Sequence, residues 1–155
     1  MLRRPGTGSR VLDVAAGTGE QTLAVARRVG SEGWVLATDI SPSILHFAGQ
    51  SARAEGLNNV ATRELDGEDL SVLEEGSFDA VISRVGMIYF PDQQRTLAGM
   101  RRVLKENGKV AAMVYSSAER NGFFSQPVSI IRRRAQLPRR SPGSQGLSVW
   151  GVWRC

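Results

Sequence analysis

The stretch RVLDVAAGTGE, residues 10–20, decides the fold of this chain. Its apolar residues 11–14 predict a buried strand, and Asp13 lies near the carboxyl end of that strand. The turn that follows lacks bulk, so that backbone can approach a ligand closely, at Ala15, Gly17 and Gly19. Apolar residues then recur at helical spacing over residues 20–29. A strand, turn and helix in this order are typical of units that hold nucleotide-like ligands.

A second apolar run, residues 34–39, also ends on an acid. Asp39 follows Gly19 by 20 residues, the position at which an acid binds ribose hydroxyls in nucleotide-binding βαβ units. A carboxylate can accept hydrogen bonds from both hydroxyls at once. We therefore expect Asp39 to hold a ribose.

The glycine spacing differs from the dinucleotide fingerprint, which needs Gly-x-Gly-x-x-Gly. Here Ala15, Gly17 and Gly19 alternate with other residues, and Thr22 fills the helix-packing position. A diphosphate favours the N–H groups of a helix start, whereas an acid at a strand end suits an ammonium group. S-adenosylmethionine carries no phosphate, and Asp13 is placed to meet its ammonium group directly or through water.

Strands and helices alternate along the rest of the chain. A helix begins at Pro42 after a Ser41 cap, runs to about Glu55 and ends at Gly56. The remaining predicted elements are a strand over 59–65, a loop over 66–70, a strand over 78–83, a helix from Pro91 and Asp92 through Leu104 closed by Asn107-Gly108, and a strand over 109–115.

This alternation predicts an α/β fold: a Rossmann-like, doubly wound parallel sheet with helices on both faces, in three αβα layers. Right-handed crossovers give the strand order 3-2-1-4-5. A ligand then binds beyond the carboxyl ends of strands 1 and 4, where the order reverses. Candidate residues that fall at such ends are Asp13, Gly17, Asp39, Asp66 and Ser83.

Three segments together resemble class I S-adenosylmethionine-dependent methyltransferases, in the group that includes the ubiquinone/menaquinone-biosynthesis C-methyltransferases. They are Asp13–Gly19, Asp39-Ile40-Ser41 and Leu-Lys-Glu-Asn-Gly-Lys at 104–109, and the resemblance covers about residues 10–116. It implies a transferase that uses S-adenosyl-L-methionine as cofactor. The methyl acceptor is unidentified, and we expect a small molecule.

The resemblance also implies roles for single residues in the first loop. Ala15, Gly17 and Gly19 would let the methionine part of the cofactor lie against the loop, and Thr18 would offer its hydroxyl or N–H to the carboxylate. Ser83 would contribute backbone to the region around the sulfonium. The alternative for the glycines is a tight turn that needs them for its own geometry.

Around the adenine, the resemblance implies that Ile40 contacts a ring face, that Asp66 accepts from the amino group and that Gly67 donates its N–H to a ring nitrogen. Packing in the core is the alternative for Ile40. Glu68 and Asp69 lie in the same loop, so the register of the accepting acid stays open.

Other residues leave their roles open. Arg84 can bind a substrate carboxylate or lie in solvent. Met87, Tyr89 and Phe90 can form a substrate wall or pack against the helix that follows. His46 is a lone histidine of the kind that is more often a surface residue than a catalytic one. No residue is identified as a catalytic base.

Composition narrows the classes of protein. Residues 120–155 hold seven Arg and no acid, whereas residues 1–119 hold 13 Lys+Arg and 15 Asp+Glu, a net charge of −2 within a total of +5. A folded part so close to neutral makes nucleic acid an unlikely ligand for it. Cys155 is the single cysteine, so no cysteine metal cluster forms, and no metal is expected. Without an apolar stretch of ~18 residues we expect no membrane span and, by default, a cytoplasmic location.

The ends of the chain depart from the family. Nine residues precede Arg10, where relatives carry 30 or more, and the last two strands are missing; we expect a form truncated at both ends. The predicted domains are a core over 1–116, a partial connection over 117–137 and a basic tail over 138–155. Its composition suggests disorder or a reading frame shifted by one base. An unprotected fifth strand would be prone to self-association.

Three alternatives remain. The chain can be a cofactor-binding fragment without turnover, or it can complete its site as a dimer. A nicotinamide-dependent oxidoreductase is disfavoured by the missing third glycine. A nucleic-acid-binding module would work through the basic residues 132–140.

Overall fold

The computed structural model describes residues 5–117 and 120–135. Strands and helices alternate in chain order as β1 Arg10–Val14, α1 Glu20–Val29, β2 Trp34–Asp39, α2 Pro42–Ala54, β3 Val60–Glu64, β4 Phe78–Arg84, a short 3-10 helix Gly86–Tyr89, α3 Gln93–Val103, β5 Leu104–Met113 and α4 Gly122–Arg134. Two compact units divide between Met113 and Val114, so α4 belongs to the second unit. The predictions for the tail 138–155 lie outside the described residues.

The five strands form one parallel sheet in the order β3-β2-β1-β4-β5. This confirms the predicted doubly wound topology. Right-handed crossovers place α1 and α2 on one face of the sheet and α3 on the other. Asp13 of β1 lies opposite Ala37 of β2 and Ile82 of β4, so the strand order reverses beside this acid.

Buried side chains fill both faces of the central strands. On the face of α1 one cluster joins the sheet to the helix through Val11, Ala26, Val29, Val35, Ala80 and Ile82. On β1, Leu12 and Val14 alternate with Val11 and are also fully buried, on the opposite face. Burying a Val or Leu side chain contributes roughly 1.5–3 kcal/mol, so this core fixes the positions of the strand ends.

Residues that the sequence marks as helix caps lie at the ends of α2 and at the start of α3. Ser41 accepts a hydrogen bond from the N–H of Ile44, and Gly56 adopts a left-handed φ of 68° just past α2, both as predicted. At the start of α3, the Asp92 side chain accepts from the N–H of Arg95 at 2.9 Å. These caps hold α2 and α3 at the edge of the sheet where the candidate residues lie.

The junction between α3 and β5 differs from the prediction. The helix ends at Val103, and β5 begins at once with Leu104 rather than at Lys109. Leu104 pairs with Phe78 and Lys109 pairs with Ala80. Between these two pairs β5 advances by five residues while β4 advances by two. Asn107-Gly108 therefore lies in this irregular part of β5, where Asn107 has a φ of 65°, and does not close the helix.

On β5, Ala111, Ala112 and Met113 are exposed, and β5 is one of the two edge strands of the sheet among the described residues. Self-association through it stays a prediction. None of the helices within residues 5–117 and 120–135 is both long and apolar enough to cross a membrane.

Candidate functional site

The carboxyl ends of β1, β2, β3 and β4 lie along one edge of the sheet because the strands are parallel. The predicted candidates all belong to these strand ends or to the loops that follow them: Asp13, Ala15, Gly17, Thr18, Gly19, Asp39, Ile40, Asp66, Gly67 and Ser83. Their geometry decides what the edge can bind.

Asp39 connects two loops through its carboxylate. Its Oδ2 accepts from the N–H of Gly17 at 3.0 Å, and its Oδ1 accepts from the N–H of Ser41 at 3.0 Å. Its backbone oxygen accepts from the N–H of Leu65. The residue is half-buried, and its carboxylate holds the loop after β1 against the start of α2.

The first loop has a left-handed backbone at three positions, with φ of 56° at Ala15, 58° at Gly17 and 85° at Gly19. A Cβ on Gly19 would lie 2.7 Å from the Cβ of Ala48, so close packing against α2 requires this glycine. A Cβ on Gly17 would meet nothing within 4 Å. Packing within the fold therefore explains why residue 19 must be a glycine. It does not explain Gly17, which is next to open space.

Asp13 is a buried acid, with 1% of its surface exposed. Its Oδ2 accepts a hydrogen bond from the Thr22 hydroxyl at 2.7 Å. Burial raises the pKa of Asp13 to about 6, against the Thr22 hydrogen bond and the charge of Arg84, which lower it. At neutral pH the edge therefore contains a desolvated negative charge, which attracts a cation more strongly than a charge in water would.

Ser83 ends β4 with a buried hydroxyl, also 1% exposed. Within the part of the chain that the structure describes, its Oγ finds no hydrogen-bond partner. A Cβ on Gly86 would lie 2.8 Å from this Oγ and 2.5 Å from the Cβ of Ala15, so the ends of β1 and β4 converge at Gly86. An unsatisfied buried hydroxyl is uncommon and is expected where a ligand supplies the partner.

Val85, between Ser83 and Gly86, has a φ of 67°. Left-handed backbone is unfavourable for a β-branched residue and tends to occur at functional sites. Its N–H donates to the carbonyl of Met113 at 2.7 Å, which ties this strained turn to β5.

The loop after β3 separates its three acids. Asp66 is exposed and accepts from the N–H of Glu68, while the Glu68 side chain accepts from the N–H of Asp92 at the start of α3. Asp69 accepts from Ser71, whose side-chain and backbone hydrogen bonds lower the pKa of Asp69. Asp66 follows Leu65, which is bonded to Asp39, so Asp66 is the acid of this loop next to the strand end.

Gly67 is buried in this loop because a Cβ there would lie 2.4 Å from the ring of Phe90 and 2.9 Å from Cγ1 of Val14. Phe90 therefore packs against the sheet edge. Met87 is buried, whereas Tyr89 is exposed, so the three predicted wall residues do not form one surface.

Ile40 has 70% of its surface exposed, which rules out the core alternative for it. Thr18 is exposed at the tip of the first loop. His46 is exposed on α2, where its ring contacts the edge of Phe47, and it does not belong to the strand ends.

Sequence reasoning missed two contacts. The hydroxyl of Thr22 reaches Asp13 from α1, although the sequence indicated only a packing position for Thr22. Arg84 forms an ion pair with Glu20 at 2.8 Å, across 64 residues of chain. A single sequence carries no local signal for either contact, because both depend on the closeness of α1 to the sheet.

Elsewhere, a cavity of about 400 Å³ lies at the opposite edge, beside Trp34 at the start of β2. There the Asn59 amide already donates to the carbonyls of Ala26 and Gly30, so the polar side chain serves the fold. Among residues 5–117 and 120–135, no cluster of three or more His, Cys, Asp or Glu could hold a metal ion.

Comparison with known proteins gives a family. A sequence profile described as "Methyltransferase domain" matches residues 11–108, more than half of the chain. An uncharacterised protein of Mycobacterium tuberculosis is 37% identical over 136 residues, 87% of this chain and 47% of its own length. The ubiquinone/menaquinone biosynthesis C-methyltransferase UbiE of Idiomarina loihiensis is 36% identical over 110 residues, 70% of this chain and 43% of its own.

Among solved structures, an arsenic(III) S-adenosylmethionine methyltransferase of Chlamydomonas reinhardtii superposes with a TM-score of 0.68 at 31% identity. The match covers 83% of this chain and 46% of that one. The chain therefore spans about half the length of the relatives that it matches.

The pKa of Asp13 makes stability depend on pH. Unfolded Asp13 ionises near 3.8 and folded Asp13 near 6, so the folded state binds the proton more tightly between these values. Raising the pH from about 4 to 7 should therefore lower the free energy of unfolding by on the order of 3 kcal/mol through this group. In Asp13→Asn this contribution disappears, which chemical denaturation of both proteins across this pH range measures. Parallel pH curves would contradict the assignment.

Two buried hydroxyls should respond differently to removal. Thr22→Val leaves Asp13 without its donor, and we expect a loss of about 1–3 kcal/mol in unfolding free energy at pH 7. Ser83→Ala removes a hydroxyl that has no partner within residues 5–117 and 120–135, and we expect a change below about 1 kcal/mol. Urea denaturation compares the variants, and an equal, large loss in Ser83→Ala would show that this hydroxyl is satisfied in the folded protein.

Proposed function

This chain belongs to the class I S-adenosylmethionine-dependent methyltransferase family, and we propose that it binds S-adenosylmethionine at the carboxyl edge of its sheet and methylates a small-molecule acceptor. The chain covers about half of the length of its relatives, so the methyl transfer itself is part of the proposal.

The observation that carries the proposal is the bonding of Asp39. A carboxylate offers about four lone-pair sites. The N–H groups of Gly17 and Ser41 occupy one site on each oxygen. One further site on each oxygen remains, which matches the two hydroxyls of a ribose, and the residue is only half-buried. Its two backbone donors also fix the orientation of the carboxylate before a ligand arrives.

Asp13 supports the same ligand at its amino-acid end. Its charge lies at the carboxyl end of β1, just before the loop that contains Gly17. A cationic group that pairs with Asp13 offsets the cost of ionising this buried carboxyl. The ammonium group of the methionine part is such a cation, paired directly or through water.

The remaining contacts suit an adenine and the reactive end. Exposed Ile40 follows Asp39 and offers an apolar surface for a ring face. Asp66 would accept from the amino group, and the N–H of Gly67 would donate to a ring nitrogen. At the other end, the unsatisfied Ser83 hydroxyl and the strained turn at Val85 would lie near the sulfur.

When bound, S-adenosylmethionine supplies a methyl group on a positively charged sulfur, which makes it an activated donor. The protein then contributes chiefly by holding the acceptor in line, which alone can supply a large part of the acceleration. A base is needed only where the acceptor must lose a proton, and we assign none. Two relatives, a methyltransferase of ubiquinone/menaquinone biosynthesis and an arsenic(III) methyltransferase, support a small acceptor.

Replacing Asp39 tests the proposal. S-adenosylhomocysteine should bind the chain, and Asp39→Ala should weaken this binding by at least about tenfold, because two charged hydrogen bonds are lost. Glu32→Ala is the matched control, since Glu32 is an exposed acid in the turn before β2 at the opposite edge. Calorimetric titration measures both variants, and thermal melting verifies that each is folded.

Equal affinities of the wild type and Asp39→Ala would contradict the proposed ribose contact. Binding without detectable methyl transfer to any small acceptor would favour the alternative of a cofactor-binding fragment. Failure of the folded wild type to bind would contradict the proposed cofactor site.

A further inference from the structure

Arg84 ends β4, and its exposed guanidinium forms an ion pair with Glu20. Its Nη2 lies 2.8 Å from Oε2 of Glu20, with side-chain exposures of 46% and 74%. Exposed pairs of this kind contribute roughly 0–1 kcal/mol, so another carboxylate can replace Glu20 at little cost. The pair is thus a weak resting arrangement beside the proposed cofactor site.

The position of Arg84 follows from the sheet. Ile82 lies opposite Asp13 in the pairing of β4 with β1, and Arg84 is two residues further along β4. Residues two apart on a strand share a face, and Ile82 belongs to the cluster on the α1 face. Asp13 is on that face too, since it bonds to Thr22 of α1. The anionic Asp13 and the cationic Arg84 therefore lie on the same face of the sheet, at the carboxyl ends of neighbouring strands and near the start of α1.

Electrostatics agree with this placement. Burial is the main influence on the pKa of Asp13, yet the charge of Arg84 reaches this carboxyl and opposes the effect of burial. The negative charge of Asp39 acts on Asp13 in the opposite sense to Arg84.

Resting on the proposed function, we propose that Arg84 binds the α-carboxylate of the cofactor's amino-acid end in place of Glu20, while Asp13 faces the ammonium group. The amino-acid end is a zwitterion, with both charges on one carbon. The adjacent opposite charges of Asp13 and Arg84 match it, and a guanidinium can grip a carboxylate through two parallel hydrogen bonds.

The test removes the carboxylate from the ligand and the guanidinium from the protein separately. Calorimetry compares S-adenosylhomocysteine with its decarboxylated analogue, which keeps the ammonium group, on the wild type, Arg84→Gln and Arg84→Lys. Arg84→Gln should weaken S-adenosylhomocysteine by about 10- to 100-fold. In the same variant, the affinity for the decarboxylated analogue should fall by less than about threefold. Arg84→Lys should recover part of the affinity for S-adenosylhomocysteine, because it keeps the charge.

Glu20→Gln is the matched control, because it breaks the same ion pair from the other side. If Arg84 acts on the ligand, this variant should bind S-adenosylhomocysteine at least as tightly as the wild type, since a competing carboxylate is gone. If the ion pair is a strut between α1 and β4, Glu20→Gln and Arg84→Gln should weaken binding alike, which would overturn the proposal.

Two further outcomes also overturn it. An equal fall in the affinity for both ligands in Arg84→Gln would show that Arg84 does not recognise the carboxylate. Unchanged binding of S-adenosylhomocysteine in Arg84→Gln would leave Arg84 for another partner, such as an acidic acceptor. Failure of the folded wild type to bind either ligand would instead refute the proposed function, and this inference with it.

Discussion

The carboxylate of Asp39 is the contact on which the site depends. It ends a buried strand and accepts hydrogen bonds from the N–H of Gly17 in the first loop and from the N–H of Ser41 at the start of α2. Because the backbone positions it, the proposed binding of a ribose would require little rearrangement of this carboxylate. The loop after β1, the start of α2 and the segment just after β3 are all hydrogen-bonded to this one residue.

Other features of the edge reduce stability where a ligand would restore it. Asp13 is ionised at neutral pH although burial raises its pKa, and the buried Ser83 hydroxyl has no partner among the residues that the structure describes. Val85 adds an unfavourable backbone conformation. Such costs concentrated at one end of a regular sheet are typical of a binding site, and most of the buried residues elsewhere are hydrophobic.

The sequence predicted the strands, their order and the placement of the candidate acids, because hydrophobic periodicity and the crossover rule are strong in short parallel units. It failed at Leu104, since an irregular pairing with β4 cannot be read from local spacing. It also missed the hydrogen bond from Thr22 to Asp13 and the ion pair of Arg84 with Glu20, which exist only once α1 packs on the sheet.

Nuclear magnetic resonance of the 15N-labelled chain during titration with S-adenosylmethionine tests the central claim most directly. If the carboxyl edge is the cofactor site, the amide signals of Gly17, Gly67 and Val85 should shift together and saturably, while those of Gly33 and Ser77 at the opposite edge stay in place. Shifts confined to the opposite edge, or a folded chain without any shift, would contradict the account.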